Sequence, residues 1–351
     1  MNRDDPIYVA GHGGLVGSAI GRLLKERGFR NLLTRTHAEL DLTRQEQVER
    51  FFEMHRPACV FLAAARVGGI GANSRFPAQF IYDNLAIALN VIHSAWRCGA
   101  RRLLNLGSSC IYPRLAPQPL KEEYLLTGGL EATNEAYAVA KIAAIKLCRH
   151  YNTQYGTSFF SLMPTNLYGP NDNFDLESSH VLPALIRKLH IAKLLKKGDF
   201  QEIRQDLRRW DRSPDQSEQS DEQAAKRLNS YGIFANRVTL WGTGAPLREF
   251  LHVDDLAEAC LLAAETPQRQ ELGDFMNVGV GQDISIAELA ELIRGVVGYE
   301  GEILFDPAKP DGTPRKLLDV SRMHQLGWRP RIALREGVAR TYQWYLEAGG
   351  G

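Results

Sequence analysis

Residues 7–29 read IYVAGHGGLVGSAIGRLLKERGF, and the order of parts in this stretch decides the fold. A short apolar run, Ile7 to Ala10, stops at Gly11. Leu15, Val16, Ala19, Ile20, Leu23 and Leu24 then recur at helical spacing up to Gly28. The pattern predicts a buried strand, a glycine turn and an amphipathic helix. Gly11, Gly14 and Gly17 fall in the turn and the first helical residues, where they permit a tight reversal, a close backbone approach to a pyrophosphate and close helix–strand packing. Glycine spacing alone carries little weight. In the order strand, glycines, helix, second strand (Asn31 to Thr34), it reads as a dinucleotide-binding unit.

The alternation continues. Ala58 to Leu62 reads as a buried strand, about 78–98 as a helix, Leu103 to Leu106 as a strand and 134–156 as a long helix. SFFSLMPTNLYGP, residues 158–170, is a strand leaving into a loop. The fold class is therefore α/β: a Rossmann-type doubly wound parallel sheet with a smaller C-terminal α/β substrate-binding domain. The expected NADP-binding domain is 1–165 plus about 249–267, and the expected substrate domain is 166–248 and 268–351. A helix near Leu182 to Lys197 runs into DRSPDQSEQSDEQ, residues 211–223, which lacks any large apolar residue. That segment reads as a solvated insertion within about 198–236, closed by a short helix in DEQAAKRLNSYG. A flap over a substrate, or an oligomer contact, is its alternative role. RVTLWGTG, the helical HVDDLAEACLLAAE, the strand DFMNVGVG and the helical SIAELAELIRGVVG follow.

A formal net charge of +1 removes any general electrostatic case for nucleic acid or anionic membrane as a partner. Basic side chains must then act locally, on a small anionic ligand. The N-terminus has no apolar signal core and no apolar run reaches about 18 residues, so a cytoplasmic protein is expected. The five cysteines are scattered and free of C-x-x-C pairing, which suggests neither a disulfide framework nor a metal site. Cys59, Cys98, Cys148 and Cys260 lie within apolar patterns and read as small core residues. Cys110 differs. It stands in GSSCIYP, residues 107–113, at the lip of a strand and two residues after Ser108. In parallel sheets, ligands sit beyond the carboxyl ends of the strands.

Tyr137 and Lys141 are four apart in YAVAK and share a helical face. One strand–helix unit after Ser108, in a chain that opens with a dinucleotide turn, they form a carbonyl-reducing set. Lys141 is expected to lower the phenol's pKa and to bond the nicotinamide ribose. Ser108 would donate to the carbonyl oxygen that Tyr137 protonates, with hydride supplied by the cofactor.

The words GSSCIYP, NEAYAVAK, MPTNLYGPNDNF, SSHVLPALIRK, WGTGAPLREFLHVDD and KPDGTPRKLLDVSRMHQLGW carry a closer likeness. Through them the chain resembles the extended short-chain dehydrogenase/reductases and, within these, the GDP-L-fucose synthases. The likeness runs from the first strand nearly to the C-terminus and leaves out only the insertion. It implies conversion of GDP-4-keto-6-deoxy-D-mannose to GDP-L-fucose by inversion at C3 and C5, then reduction at C4 with NADPH. C3 and C5 both flank the C4 ketone, so their protons are acidic and their loss gives an enolate. Inversion needs two groups on opposite faces of the sugar. The resemblance gives the base to Cys110 and the acid to His180, and thiols and imidazoles suit proton traffic near neutral pH.

It also implies cofactor contacts at Gly11, Gly14, Leu15, Val16, Gly17, Arg35, Asp41, Leu42, Leu106, Gly107, Tyr137, Lys141, Pro164, Asn166, Leu167 and His180. Substrate contacts fall at Ser108, Asn166, Lys188, Trp241, Arg248 and Asp311. Lys188 and Arg248 suit the GDP diphosphate, and Trp241 offers a stacking face. Arg248 could instead pair with Glu249, and Asp311 could merely begin the turn PDGTP. Family members carry arginine where this chain has Gly13 and His37, so NADPH is expected with weaker discrimination against NADH. A homodimer paired through helices like the one bearing Tyr137 is expected too. The alternatives are an epimerase or dehydratase that retains NAD, and a non-catalytic NADP or GDP-sugar sensor.

Overall fold

A computed structural model of the chain describes residues 1–211, 220–266 and 273–348. The first half runs β1 (Ile7–Ala10), α1 (Leu15–Glu26), β2 (Leu32–Leu33), α2 (Gln45–His55), β3 (Cys59–Leu62), α3 (Ile70–Arg75), α4 (Pro77–Arg97), β4 (Arg102–Leu106), α5 (Glu135–Tyr155) and β5 (Phe159–Pro164). Next come β6 (Asn166–Tyr168), α6 (Val181–Lys197), α7 (Phe200–Trp210), α8 (Asp221–Ser230), β7 (Arg237–Trp241), β8 (Leu247–Arg248) and β9 (Phe250–His252). The remainder is α9 (Val253–Glu265), β10 (Phe275–Val278), β11 (Ile284–Ser285), α10 (Ile286–Val297), β12 (Glu302–Asp306), β13 (Arg315–Lys316), α11 (Ser321–Gln325) and α12 (Leu334–Glu347).

The chain divides into two compact units. The first holds 1–167, 249–281 and 317–331; the second holds 168–248, 282–316 and 332–351. In the first unit a six-stranded sheet has the order β10-β5-β4-β3-β1-β2, and every neighbouring pair in it is parallel. Alternation along β1 explains how both faces become covered. Ile7 and Val9 join a core with α1 and α9 residues such as Ile20, Leu24 and Leu256. Tyr8 and Ala10 point the other way, into a core with Phe52 of α2, Val91 of α4 and Cys148 of α5. The doubly wound expectation holds.

The expected domain limits need correction. Residues 273–281 belong to the first unit because β10 pairs with β5, Phe275 opposite Ser161, and closes the edge of the large sheet; 317–331 join it because Leu318 bridges Leu120 and α11 packs on β10. Most of the segment expected to be solvated, residues 212–219, lies outside the described residues. The short helix expected to close it is present as α8. In the wider insertion, α7 and α8 are packed elements. Ile203, Leu207 and Leu228 are buried. Arg187 of α6, itself fully buried, pairs with Asp206 at 2.7 Å and Asp211 at 2.8 Å. Asp211 in turn pairs with Arg227 of α8 at 2.7 Å. Of the cysteines expected in the core, Cys59, Cys148 and Cys260 are buried, whereas Cys98 is half-buried because it sits at the C-terminal cap of α4.

Candidate active site

The turn after β4 is built to hold its side chains in place. Gly107 has no room for a Cβ, which would overlap the Met163 side chain. The extended Ser108 then starts a short helical turn, Ser109–Ile111, and its Oγ accepts a hydrogen bond from the Cys110 N–H at 3.3 Å. Cys110 is left half-buried. Two residues on, the Tyr112 hydroxyl donates to Asn277 Oδ1 at 2.5 Å. Asn277 donates from its N–H to Glu122 at 3.0 Å and from Nδ2 to the Leu120 carbonyl at 2.9 Å. These buried polar partners fix the turn from β10.

Helix α5 brings three more side chains to this place. Asn134, just before it, donates from Nδ2 to Cys110 Sγ at 3.5 Å. Lys141 is buried, lies 5.6 Å from the centre of the Tyr137 ring and donates to the Leu106 carbonyl at 2.8 Å. Burial pulls the Lys141 ammonium down to about 8, partly opposed by the Cys110 sulfur. Tyr137 departs from expectation. Its phenol is pushed up, by burial and then by the Cys110 sulfur, instead of being lowered by Lys141. Desolvation of a phenolate outweighs a nearby cation that is itself desolvated and bonded to a carbonyl. A phenol kept protonated remains fit to donate.

The glycine turn fits a pyrophosphate. Gly11 is left-handed at φ 83°, and a Cβ there would meet the Ala64 backbone at 2.8 Å. A Cβ on Gly17 would overlap the Gly11 carbonyl, so α1 can approach β1 only with glycine at this position. Gly14 caps α1 without a side-chain bond, and no acidic residue stands in the first turn. The positive end of the helix therefore faces outward unneutralised, beside half-buried Leu15 and Val16. A dinucleotide phosphate suits this cradle.

Other expected cofactor residues have local roles as well. Arg35 donates to the Thr34 carbonyl at 2.7 Å and lies 3.2 Å from the His55 ring. Asp41 accepts from the Thr43 N–H at 3.0 Å, a local loop bond, and Leu42 is buried. Leu106 and Pro164 end neighbouring strands β4 and β5. Asn166 donates to the Glu249 carbonyl at 2.8 Å, and Leu167, half-buried, packs against the core shared with α1.

In the second unit, His180 stands at the start of α6; partial desolvation of its ring and then the charge of Lys316 lower its pKa. The loop before it is knitted by Asp175, which accepts from the Ser178 N–H at 2.9 Å and the Ser178 hydroxyl at 2.7 Å. Lys188, two helical turns on, donates to the Tyr231 carbonyl at 2.9 Å, and burial brings it down to about 8. Trp241 ends β7 with 69% of its surface exposed, and the Lys309 ammonium lies 5.6 Å from the centre of its ring. Arg248 bonds the Leu247 carbonyl at 2.8 Å and feels the charge of Asp311. The alternative pairing of Arg248 with Glu249 is not made. Glu249 accepts backbone N–H groups from Val280, Gly281 and Leu318 instead. Asp311 binds both Thr243 N and Thr243 Oγ1, at 2.9 and 2.7 Å, so it braces the turn after β7.

Sequence reasoning missed Asn134, Asn277 and Glu249. Asn134 lies inside a quoted motif but reads there only as a helix start. The other two act through contacts distant in sequence.

A family model described as the NAD dependent epimerase/dehydratase family matches residues 7–207 and 214–279. The chain belongs to the NAD-dependent epimerase/dehydratase family. Within this family it is 53% identical to GDP-L-fucose synthase 1 of Arabidopsis thaliana, over 97% of this chain and 93% of that one. It is 48% identical to the GDP-L-fucose synthase of Escherichia coli (strain K12), over 97% and 96%. Among solved structures it resembles a GDP-D-glycero-L-gluco-heptose synthase from Campylobacter jejuni, solved in the presence of NADPH. The TM-score is 0.91 and the identity 40%, over 99% of each chain.

Proposed function

We infer that the protein is a GDP-L-fucose synthase, which converts GDP-4-keto-6-deoxy-D-mannose to GDP-L-fucose by epimerising C3 and C5 and reducing C4 with NADPH. The observation that carries the reading is the strand-end turn. It sets a half-buried thiol against α5, the helix that carries half-buried Tyr137 and buried Lys141. A reductase alone has use for Ser108, Tyr137 and Lys141. It has none for the sulfur.

In this reading the first unit holds NADP(H) and the second the GDP-sugar. Gly11, Gly14 and Gly17, with the N–H groups of Leu15 and Val16, seat the pyrophosphate. Lys141 holds the ribose. The bound cofactor supplies hydride to C4. Cys110 Sγ takes the proton from C3 or C5 as the C–H pair moves into an enolate, and Ser108 and Tyr137 stabilise the oxygen. Inversion needs a proton returned to the other face, a role given to His180. Tyr137 later protonates the C4 oxygen. Lys188 and Arg248 take the diphosphate and Trp241 the guanine. Asp311 supports this site through Thr243.

We also propose a homodimer joined through α4 and α5, where Tyr82, Leu89 and Val139 are each exposed. Light scattering of the purified chain tests it. No helix among the described residues is long and apolar enough to cross a membrane. Five free thiols suit the reducing cytoplasm, where we place the enzyme.

Turnover with NADPH and the keto-sugar tests the reaction class. One NADPH lost per sugar, followed by its absorbance, is expected. Sugar turnover without net NADPH loss would favour an enzyme that regenerates its cofactor, and ligand binding without turnover would favour a sensor.

A further inference from the structure

Asparagine is among the residues preferred just before a helix, where its side-chain oxygen accepts from the second or third helical N–H. Asn134 holds that position ahead of α5 and makes no such bond. Its Nδ2 is turned onto Cys110 Sγ at 3.5 Å. Its Oδ1 is buried and has no hydrogen-bond partner among the described residues. An unmade cap and an unsatisfied buried oxygen both cost stability. Helix capping does not explain the orientation; the contact with sulfur does.

We propose that Asn134 is a catalytic residue of the epimerisation, its Nδ2–H solvating the Cys110 thiolate that removes the C3 and C5 protons. The proposal rests on the reading of Cys110 as the base. A hydrogen bond to an ionised acceptor is stronger than one to a neutral acceptor, so the contact favours the form of the sulfur that can take a proton. In the step itself a C–H bond breaks, its electron pair enters the enolate, and the proton forms an S–H bond. An amide carries a donor and an acceptor on one rotor. A half-turn of the Asn134 amide brings the unpartnered Oδ1 to the new S–H, so one side chain serves sulfur in both states. Asn134, Tyr137 and Lys141 all belong to α5 or its cap, and one helix thus serves the sulfur and the carbonyl together. The turn Ser109–Ile111, which carries Cys110, packs against that helix.

Asn134→Asp keeps the shape and a good cap but sets a carboxylate against the sulfur. Asn134→Ser also caps well and is too short to reach it. In both variants, solvent deuterium entry at C3 and C5 should slow roughly ten-fold or more. Alkylation at the Cys110 peptide by iodoacetamide should slow in parallel, while NADPH binding, read by fluorescence, stays unchanged. Cys110→Ser is the control. If it abolishes exchange while either Asn134 variant exchanges or is alkylated at the wild-type rate, the Asn134 proposal is overturned and the Cys110 assignment stands. If Cys110→Ser exchanges normally, the base assignment falls, and the role of Asn134 with it.

Discussion

The turn at residues 107–113 and the helices flanking the insertion both bury polar groups, but they settle them differently. Around the insertion, charge meets charge. Burial works against the Arg187 guanidinium, yet Asp206 and Asp211 more than offset this and hold its pKa up. The Tyr345 hydroxyl closes the cluster on Asp206. Around the turn, the buried Lys141 ammonium meets a neutral carbonyl, a phenol stays protonated and an amide oxygen has no partner. Pairing of opposite charges holds groups in one ionised state. A buried group without an opposite charge stays open to reaction, at a cost in stability. The contrast teaches where to look for function when both places are rich in polar side chains.

The largest expected break between the two regions comes from Cys110→Ser. Deuterium entry at C3 and C5 should fall by roughly 10²–10⁴-fold with an unchanged melting temperature; exchange by NMR with calorimetry checks both parts. Tyr137→Phe should reduce NADPH oxidation by a similar factor, with epimerised ketone accumulating, as product analysis would reveal. Arg187→Ala makes the opposite case. It strands the buried Asp206 carboxylate, leaves Asp211 with Arg227 alone, and should cost about 3–5 kcal/mol of stability, read from denaturant unfolding, with activity lost only as the fold is lost.

A smaller effect concerns pH. Lys141 and Lys188 both titrate at about 8 when folded, charged below that value and neutral above it. If both act as cations, kcat/KM should fall as pH rises through 8, in a plot of rate against pH. A flat profile from pH 7 to 10 would separate their burial from catalysis. Gly13→Arg should change least. A Cβ there has nothing within 4 Å, so a side chain can start there without a clash, and the ratio of specificity constants for NADPH over NADH should rise a few-fold.

Much of the first region is local and therefore legible in sequence. Gly11, Gly14 and Gly17 are fixed by steric limits within one turn, and Tyr137 and Lys141 by helical period. Cys110 stands out because a thiol ends a strand. What escaped depends on partners far along the chain. Tyr112 meets Asn277, 165 residues away, and β10 returns to pair with β5 after more than half of the second unit has intervened. The insertion hides its partners for the same reason. Asp211 falls in the segment read as solvated, and its pairing with Arg187 of α6 appears only on folding. The phenol of Tyr137 shows the limit on chemistry as well: spacing gives the neighbour, but burial sets the sign of the shift.

One experiment in heavy water bears most directly on whether a single strand end both inverts and reduces its sugar. The protein, NADPH and GDP-4-keto-6-deoxy-D-mannose are mixed in deuterium oxide and the product is read by NMR. The account predicts GDP-L-fucose with deuterium at both C3 and C5 and hydrogen from NADPH at C4. A reduced sugar that keeps its original hydrogens and configuration at C3 and C5 would contradict it.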